Sequence, residues 1–511
     1  MNHQDPVSGT FSAMKSEHQR NRLSGAPRIP AGTSEGSQAS RAPRGAKIAA
    51  HAVATAVARL IVLLMVLAAA QSAAAKIIHV APSPAPDAGA GTTSTTESDP
   101  AEDGTDRHPY RSLARAVAAA SDRSTSDPEE GTTIRLLPGL HVLEPQSLVE
   151  ETCGNCEDPR TAVPLTAGVI LSGRGLRLQG ETEAAAGIGG PVSAEGGRSV
   201  IVTNAGYGIF LRDCEDCWVK DLVITGGARD TSGTATDAAI VVQRSTATIE
   251  GCEIRDNIGD PEVVGRTVVG IMGICGREDS RLRIRRNRIL RNSWDGIALY
   301  RDAQAEIVDN VIDGVDLAAG GAVGGGRGVG IGVTWNARAT IRGNLVRRYW
   351  KGIGLFVDAD GQVEENVVEQ VATWGLSLWD AAQGRPRGVF RGNAVDSTGA
   401  CGAMILRLAP GEAGELTANA FCRTGQNPKY DSGEPYCHQM AIARHEAPEG
   451  FRIAQNLLFQ NREPGGAPGS LDQDRREFEA NIAPFCLRLS LWNAARESAF
   501  YRRHALGTRR P

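Results

Sequence analysis

An alternation of apolar residues with small or aromatic residues recurs four times between residues 294 and 380. The segments that carry it are 294–302, 330–334, 350–358 and 374–380. Each places a branched or long apolar residue at every second position, which is the period of a strand with one buried face. The pattern therefore predicts four equivalent β-strands.

A second pattern, apolar-x-x-Asn-x-apolar, follows these strands and extends beyond them. Its central asparagines are Asn287, Asn310, Asn344, Asn366, Asn393, Asn419 and Asn456. Cys252 and Leu222 occupy the same position in two earlier repeats, so the unit recurs about every 29 residues, as in solenoid proteins. Asparagines at turns can hydrogen-bond from one coil to the next. Because the repeat has neither a helical period nor the spacing of leucine-rich repeats, the pattern predicts a β-helix.

Three segments before the repeats also have a definite form: KIIHV at 76–80, GTDRHPYRSLARAVAAA at 104–120 and TIRLLPGLHV at 133–142. They resemble the strand, capping helix and strand that open pectate-lyase-like right-handed parallel β-helix proteins. Leu113, Val117 and Ala120 share one helical face, as a helix covering an open core requires. The resemblance extends to about residue 460 and implies an all-β, right-handed parallel β-helix.

The rest of the chain divides by composition. The predicted parts are a disordered leader at 1–47, a signal peptide or N-terminal membrane anchor at 48–75, the β-helix at 76–461, and a C-terminal helical cap or tail at 462–511. The apolar run at 60–70 follows a basic residue and precedes small residues, as in a secretory signal, and it is short for a spanning helix. We therefore expect a secreted protein, or one of the periplasm or cell envelope, that meets a membrane only through this segment if the segment is not cleaved.

Composition and net charge limit the classes of partner that the chain can be expected to bind. The 511 residues carry a net charge of −4 and contain 60 glycines, but only 5% of them are aromatic. Neither the charge nor the aromatic content suggests a nucleic-acid surface, although local fields still allow a charged polysaccharide. We expect a monomer.

Ten cysteines in an exported chain indicate disulfides more than metal sites. Cys153/Cys156 and Cys214/Cys217 have a spacing that suits either local loop disulfides or, together, a four-thiolate zinc site. Cys422 and Cys437 bracket a polar loop and are a further candidate pair.

Strict alternation places one set of residues on the outside of the four strands. The predicted substrate-binding aromatics are Trp294, Tyr300, Trp350, Phe356 and Trp379. The same reading puts Gly296, Gly330, Gly352 and Gly375 outward, between the aromatics. Such a surface would stack on the rings of a polysaccharide. Alternatively, the aromatics cover the sheet or pack under a lateral loop at 317–328.

Polar residues close the same strands. Asp302, Asn336, Asp358 and Asp380 are expected to form a column, in which Asp302, Asn336 and Asp358 would bind Ca²⁺. As alternatives, Asp302, Asp358 and Asp380 would act as acid and base in glycoside hydrolysis, or they would simply form turns. A lyase needs a base and a cation, for which Lys351 and Arg407 are candidates, with Arg301, Arg444 and His445 as further ones. Lys351 is placed on the turn before its strand.

The sequence predicts an exported β-helix protein that binds a polysaccharide and leaves open whether it cleaves it as a lyase or hydrolase. The alternative is a non-catalytic extracellular or cell-envelope scaffold or adhesin. The chain lacks the NTD…DD…GHG…RIK set of polygalacturonases and the DPH motif of mannuronan epimerases. The resemblance therefore implies architecture but transfers no catalytic residue.

Overall fold

The computed structural model describes residues 76–84, 101–124, 131–181, 197–232, 234–267, 269–316, 324–381, 384–406, 414–428, 438–445, 450–465 and 473–505. All of them belong to one compact unit, Lys76–Pro511. The leader at 1–47, the segment at 48–75, Arg407 and Cys437 lie outside the described residues.

The described strands form three long sheets. The first sheet contains β1 (Lys76–Val80), β2 (Thr132–Leu136), β6 (Leu176–Gly180), β9 (Cys217–Lys220), β12 (Thr246–Glu250), β15 (Arg281–Arg285), β18 (Gln304–Val308), β21 (Arg338–Arg342), β24 (Asp360–Glu364), β27 (Arg387–Arg391), β30 (Glu415–Thr417) and β33 (Arg452–Ala454). The second sheet contains β3 (Gly139–Val142), β7 (Ser199–Val202), β10 (Val223–Thr225), β13 (Glu253–Arg255), β16 (Arg288–Leu290), β19 (Val311–Asp313), β22 (Leu345–Arg347), β25 (Val367–Glu369), β28 (Ala394–Asp396), β31 (Ala420–Cys422) and β34 (Leu457–Phe459). The third sheet contains β4 (Gln146–Glu150), β5 (Val163–Arg174), β8 (Tyr207–Glu215), β11 (Ala238–Gln243), β14 (Met272–Arg277), β17 (Ile297–Leu299), β20 (Val329–Val333), β23 (Lys351–Phe356), β26 (Leu376–Trp379), β29 (Ala403–Leu406) and β32 (Ile442–His445).

Successive strands of the chain pass through the first, second and third sheets in turn, so three strands make one coil. Each strand pairs in parallel with its equivalent in the next coil, as Ile307 does with Ile341 and Ile331 with Ile353. The exception among the described strands is β4, which pairs antiparallel with β5. The predicted parallel coil of stacked strands is confirmed.

Inward side chains from all three sheets fill one continuous core. Ile307, Ile312 and Ile331 represent the three sheets in a single coil, and each is fully buried. Burial of a branched side chain of this size stabilises a fold by roughly 1.5–3 kcal/mol. The repeated apolar positions therefore account for the core.

The asparagine column is also present as predicted. The side-chain amide of each asparagine donates to Oδ1 of the next, at 2.9–3.0 Å, from Asn287 through Asn310, Asn344, Asn366, Asn393 and Asn419 to Asn456. Cys252 occupies the preceding position, where its backbone amide donates to Asn287 at 3.0 Å. The residue before each asparagine has a left-handed backbone, for example Asp309 (φ 57°) and Gly343 (φ 66°). This turn bends the chain sharply from the first sheet into the second.

A helix covers the first coil. Helix α1 (Leu113–Ser124) buries Leu113, Ala116, Val117 and Ala120 against the core at β1 and β2. Without it, the apolar interior and the edge of β1 would face water. The predicted capping helix is confirmed. A second short helix, α2 (Pro261–Thr267), lies between β13 and β14.

The C-terminal helices run along the side of the β-helix. They are α3 (Arg475–Leu489), α4 (Asn493–Arg496) and α5 (Ala499–Ala505), and Asp474 caps α3 by accepting from the amide of Glu477 at 2.8 Å. Their buried residues pack on the outer face of the second sheet, against Val311, Leu345, Val367, Ala394, Ala420, Cys422 and Phe459. The segment predicted as a cap or tail is therefore a strap across six strands.

Polar contacts fix this strap. The carboxylate of Glu369, which is 1% exposed, accepts from the backbone amides of Ala499 (3.2 Å) and Phe500 (3.1 Å). The indole nitrogen of Trp492 donates to Glu365 at 3.0 Å. The Glu369 carboxylate thus satisfies two free amides at the start of α5, and Glu365 holds the Trp492 side chain.

Cys153 and Cys156 form a disulfide, as predicted for one of the two close pairs. Cys214, Cys217 and Cys252 are reduced and buried. In the part of the chain that the structure describes, no helix has the length and apolar character needed to cross a membrane.

Candidate functional site

The outer face of the third sheet carries the residues that the sequence singled out. Strand register aligns one outward residue per coil: Phe210, Val241, Cys275, Ala298, Gly332, Gly354, Ser377, Met404 and Ala443. The first four pack in one outer cluster and the last two in another. The small residues Gly332, Gly354 and Ser377 lie between these clusters.

Three aromatic side chains stand over the downstream part of this face. Trp350, Phe356 and Trp379 are half-buried. The rings of Phe356 and Trp379 meet edge to face at 6.4 Å between centroids, and Trp379 meets Trp374 in the same way at 6.2 Å. We call Trp350, Phe356 and Trp379 the aromatic surface.

The floor beneath the aromatic surface is partly filled. The Phe356 ring lies over Gly354, so that a Cβ on that glycine would overlap the ring and come within 2.8 Å of Ser377 Oγ. Ser377 is fully buried and its hydroxyl makes no hydrogen bond to the described residues. The expected groove between aromatic walls is therefore a shallow surface that Phe356 closes.

The other two predicted binding aromatics lie upstream, in a different environment. Tyr300 is 7% exposed and belongs to the upstream outer cluster, against which Trp294 also packs. The Trp294 ring has the guanidinium of Arg327 at 5.6 Å from its centroid. These two residues cover the sheet, which was the alternative interpretation of the sequence pattern.

The strict alternation assumed from the sequence is wrong at the start of the four strands. A Cβ on Gly296, Gly330, Gly352 or Gly375 would collide with the core residues Ile312, Val346, Val368 and Val395, respectively. These glycines therefore face the interior, and so do the residues that follow them, such as Ile331 and Ile353. With two successive inward residues, the position directly before the glycine, as at Asp295 and Lys351, turns to the outer face.

Because of this reversal, Lys351 lies on the outer face and begins β23, instead of lying on the preceding turn. Its side chain is 8% exposed, and Nζ lies 4.8 Å from the centroid of the Trp374 ring. Burial lowers the pKa of Lys351 to about 8, against the opposing effect of the Asp295 carboxylate. A lysine in this state exchanges its proton near neutral pH.

Asp295 is a charged residue of this site that the sequence interpretation missed. It is 6% exposed, and its Oδ1 accepts from the backbone amide of Val329 at 2.6 Å. Burial raises the pKa of Asp295 to about 7, while the Val329 hydrogen bond and Lys351 act in the opposite direction. The sequence did contain a signal, the Trp-Asp-Gly triplet that precedes the strand. Strict alternation, however, assigned Asp295 to the core.

The predicted polar column forms turns between the third and first sheets. Asp302 (φ 63°) and Asn336 (φ 61°) have left-handed backbones, and the amide of Asn336 donates to Asp358 Oδ1 at 2.6 Å. Burial raises the pKa of Asp302, and the charges of Asp279 and Asp358 add to the effect. Asp380 follows β26 and is half-buried.

Two further observations concern the predicted metal and lyase residues. Among the described residues, no group of three or more Asp, Glu, His or Cys side chains is arranged to hold a metal ion. The Ca²⁺ site at Asp302, Asn336 and Asp358 stays a prediction. Arg444 and His445 lie in β32, three strands beyond β23 in the sheet, and are not brought to Lys351.

Upstream, a buried ionic network lies beneath the β4–β5 hairpin and the Cys153–Cys156 loop. Arg277 is fully buried and forms an ion pair with Glu150. Tyr207 donates to Glu150 Oε2 at 3.0 Å, and Gln243 donates to Glu150 Oε1 at 2.6 Å. The loop is tied down by Arg301, which donates to the carbonyl of Cys156 and stacks on Trp335 at 4.4 Å. The predicted lyase candidate Arg301 therefore holds this loop.

Comparison with protein families decides the handedness of the coil. The family model described as "Right handed beta helix region" matches residues 192–326. The fold of this chain is a right-handed parallel β-helix. No curated protein matches the sequence of this β-helix.

Several solved structures resemble the β-helix. The A-module of the mannuronan C-5 epimerase AlgE4 of Azotobacter vinelandii has 14% identity and a TM-score of 0.36, covering 70% of this chain and 95% of that one. The tailspike protein of E. coli bacteriophage HK620, in complex with a pentasaccharide, has 12% identity and a TM-score of 0.44, with coverages of 71% and 62%. DFA-IIIase from Arthrobacter chlorophenolicus A6, in complex with DFA-III, has 13% identity and a TM-score of 0.43, with coverages of 70% and 82%. At these identities no activity is carried over to this chain.

Proposed function

We propose that this β-helix protein binds a polysaccharide at the aromatic surface of the third sheet. The observation that carries the proposal is the partial exposure of Trp350, Phe356 and Trp379 on two neighbouring coils of one face. Aromatic rings with one face in water bind the apolar faces of sugar rings. Phe356 and Trp379 lie on neighbouring coils, about 4.8 Å apart along the axis, and Trp350 lies at the opposite end of β23 from Phe356. The three rings therefore offer contacts at both ends of this strand.

The shape of the aromatic surface favours binding along the β-helix axis. Phe356 and Trp379 are paired in register, so their side chains follow one another from β23 to β26. The edge-to-face contact between their rings, at 6.4 Å, holds both rings without covering them fully. Side chains held in this way lose little conformational freedom when a ligand binds.

A second candidate function, cleavage of the bound polysaccharide, is favoured by Lys351 and Asp295. Both groups lie beside the aromatic surface, and their pKa values of about 8 and about 7 suit proton transfer near neutral pH. Trp374 packs over Lys351 and limits its exposure to 8%. A reaction at this pair therefore requires the Trp374 ring to move.

The test is a binding screen of the full chain on neutral and acidic polysaccharides, with and without Ca²⁺. Trp350→Ala and Trp379→Ala are expected to weaken binding about tenfold each, as lost stacking contacts do. Tyr501→Ala, which removes a half-buried aromatic from α5, is the matched control and is expected to bind like the wild type. Equal binding by all variants would disprove the aromatic surface as the site.

Product analysis in the same screen separates the two candidates. Unsaturated uronides would identify a lyase, and new reducing ends without unsaturation a hydrolase. Either activity should be lost in Lys351→Met or Asp295→Asn while binding is retained. Binding without products would leave a non-catalytic carbohydrate-binding protein, and no binding would favour the scaffold or adhesin.

A further inference from the structure

The outer face of the first sheet contains a groove that is separate from the aromatic surface. It has a volume of about 480 Å³ and crosses five strands, β12, β15, β18, β21 and β24. Its lining combines Ala247, Leu282, Ala305 and Ala339 with the polar residues Arg281, Arg283, Gln304, Glu306, Arg338 and Asp360. The third sheet, with its aromatic rings and its buried Lys351, faces another direction of the coil.

Strand register places Arg281 and Arg338 of this groove in one line with Arg387, which lies on the next coil beyond the groove. One outward column runs through Thr246, Arg281, Gln304, Arg338, Asp360 and Arg387. An arginine therefore occurs at every second coil, which places Arg281, Arg338 and Arg387 about 9.6 Å apart along the axis. A linear ligand with anionic groups at regular intervals would match this repeat.

These arginines keep their charge available. Among the described residues, Arg281, Arg283, Arg338 and Arg387 have no carboxylate within 4.0 Å, and all four side chains are exposed. The outward arginines nearer the asparagine turn are different. Arg285 pairs with Glu250 at 2.7 Å, Arg342 with Glu365 at 2.9 Å, and Arg391 with Glu364 at 3.7 Å. Cations at the border of the face are therefore held in close ion pairs. In the groove, Glu306 and Asp360 are the register neighbours of Arg283 and of Arg338, but none of these carboxylates is within 4.0 Å of the arginines.

We infer that this groove binds an acidic polysaccharide, whose carboxylate or sulfate groups pair with Arg281, Arg338 and Arg387. Guanidinium groups bind such anions through two parallel hydrogen bonds. Between the arginines, Gln304 and Asp360 offer an amide and a carboxylate to the sugar hydroxyls. The groove is a second carbohydrate contact on a different sheet and does not depend on the aromatic surface.

The experiment measures binding of the full chain to polygalacturonate and chondroitin sulfate at several salt concentrations. The test variant is the triple substitution Arg281→Gln, Arg338→Gln and Arg387→Gln. Since each exposed ion pair contributes only modestly, the triple variant is expected to bind about tenfold or more weakly, with a smaller salt dependence. Because these side chains point into water, melting of the unbound protein should be unchanged.

The control triple, Arg285→Gln, Arg342→Gln and Arg391→Gln, removes the same charge from the same sheet at the paired positions. It is expected to bind within about threefold of the wild type. Equal weakening of binding by both triples would show that only net charge matters, and it would overturn the proposal. The proposal would also be overturned if the test variant bound with wild-type affinity, or if the wild type bound neither polymer. Equal binding of a DNA duplex or anionic vesicles would also overturn it.

Trp350→Ala separates this groove from the aromatic surface. If binding of polygalacturonate falls only in the arginine triple, the groove binds and the aromatic surface does not. If it falls only in Trp350→Ala, the groove proposal fails while the proposed function stands.

Discussion

The side-chain amide of Asn310 donates to Oδ1 of Asn344 at 2.9 Å, and the backbone amide of Asn310 donates to the same oxygen at 2.9 Å. Asn344 in turn donates to the backbone oxygens of Ile307 (2.9 Å) and Arg342 (3.1 Å) and to Asn366 (3.0 Å). One buried side chain thus satisfies polar groups in three successive coils. The turn from the first sheet into the second depends on it.

Asn344→Ala should destabilise the β-helix by about 3 kcal/mol or more, because it leaves several buried donors and acceptors unpaired at roughly 1–3 kcal/mol each. The change is measured as the shift of the urea unfolding midpoint. Asn456→Ala is the matched control at the end of the described column, where the side chain is half-buried and donates to the Leu416 carbonyl. Similar losses in the two variants would contradict a cooperative column.

Asp295 and Lys351 should produce a minimum in stability between about pH 7 and pH 8. Between pH 3.8 and about pH 7, the folded protein keeps a proton on Asp295 that the unfolded chain has lost, so the free energy of unfolding falls as pH rises. Between about pH 8 and pH 10.5, Lys351 keeps its proton in the unfolded chain but has lost it in the folded protein, so the free energy of unfolding rises again. Each unit of pKa shift corresponds to about 1.4 kcal/mol.

Denaturant unfolding across this pH range tests the two groups separately. Asp295→Asn should remove the fall on the acid side, and Lys351→Met should remove the rise on the alkaline side. If the free energy of unfolding varied with pH in the same way in a variant and in the wild type, the substituted residue would not be the source of the pH dependence.

Tyr349→Phe should stabilise the protein by about 1 kcal/mol, because the hydroxyl of this fully buried residue makes no hydrogen bond to the described residues. Thermal unfolding measures the gain. Tyr207→Phe is the comparison, since the Tyr207 hydroxyl contacts Glu150 and Thr236 at 3.0 Å each, and its removal should be destabilising. A loss of stability in Tyr349→Phe would indicate a partner for its hydroxyl.

Arg277→Met should destabilise the protein by about 3–5 kcal/mol, because it leaves the Glu150 carboxylate buried without its countercharge. Adding Glu150→Gln should recover part of that loss, since the uncompensated charge disappears. Urea unfolding of both variants measures the difference. If the double variant were less stable than Arg277→Met, the network would act mainly through the other hydrogen bonds of Glu150.

The sequence was sufficient for the fold because two local patterns are tied directly to it. Alternation marks the strands, and the asparagine position marks the same turn in every coil, so Asn287 to Asn456 align without any long-range information. Each residue has one environment, which is repeated at every coil. In a solenoid, contacts between residues distant in the sequence recur at a fixed period, so the repeat itself predicts them.

The sequence was insufficient where that periodicity is locally broken. Gly352 and Ile353 both face the core, as Gly296 and Ile297 do. The residues directly before these pairs, Lys351 and Asp295, therefore lie on the outside, where alternation did not place them. A glycine has no side chain whose chemistry would reveal its direction. The buried pairing of Arg277 with Glu150 joins residues far apart in the chain, and no repeat links them.

The position of the C-terminal helices was likewise hidden, because an apolar helical face does not specify which surface it covers. Phe478 stacks on Phe459 at 4.3 Å and begins the contact with the second sheet, but either end or any side of the coil would bury such a ring. The small outward residues Ala394 and Ala420 make room for the helices there.

The helical strap changes how this molecule should come apart. In a simple solenoid each coil touches only its neighbours, so an end coil can fray while the middle stays intact. Here Phe478 to Phe500 join strands from β19 to β34, and no coil among these can open without disturbing a structure shared by the rest. The downstream coils should therefore unfold together in one cooperative transition, because the strap prevents the end coil from unfolding before the others.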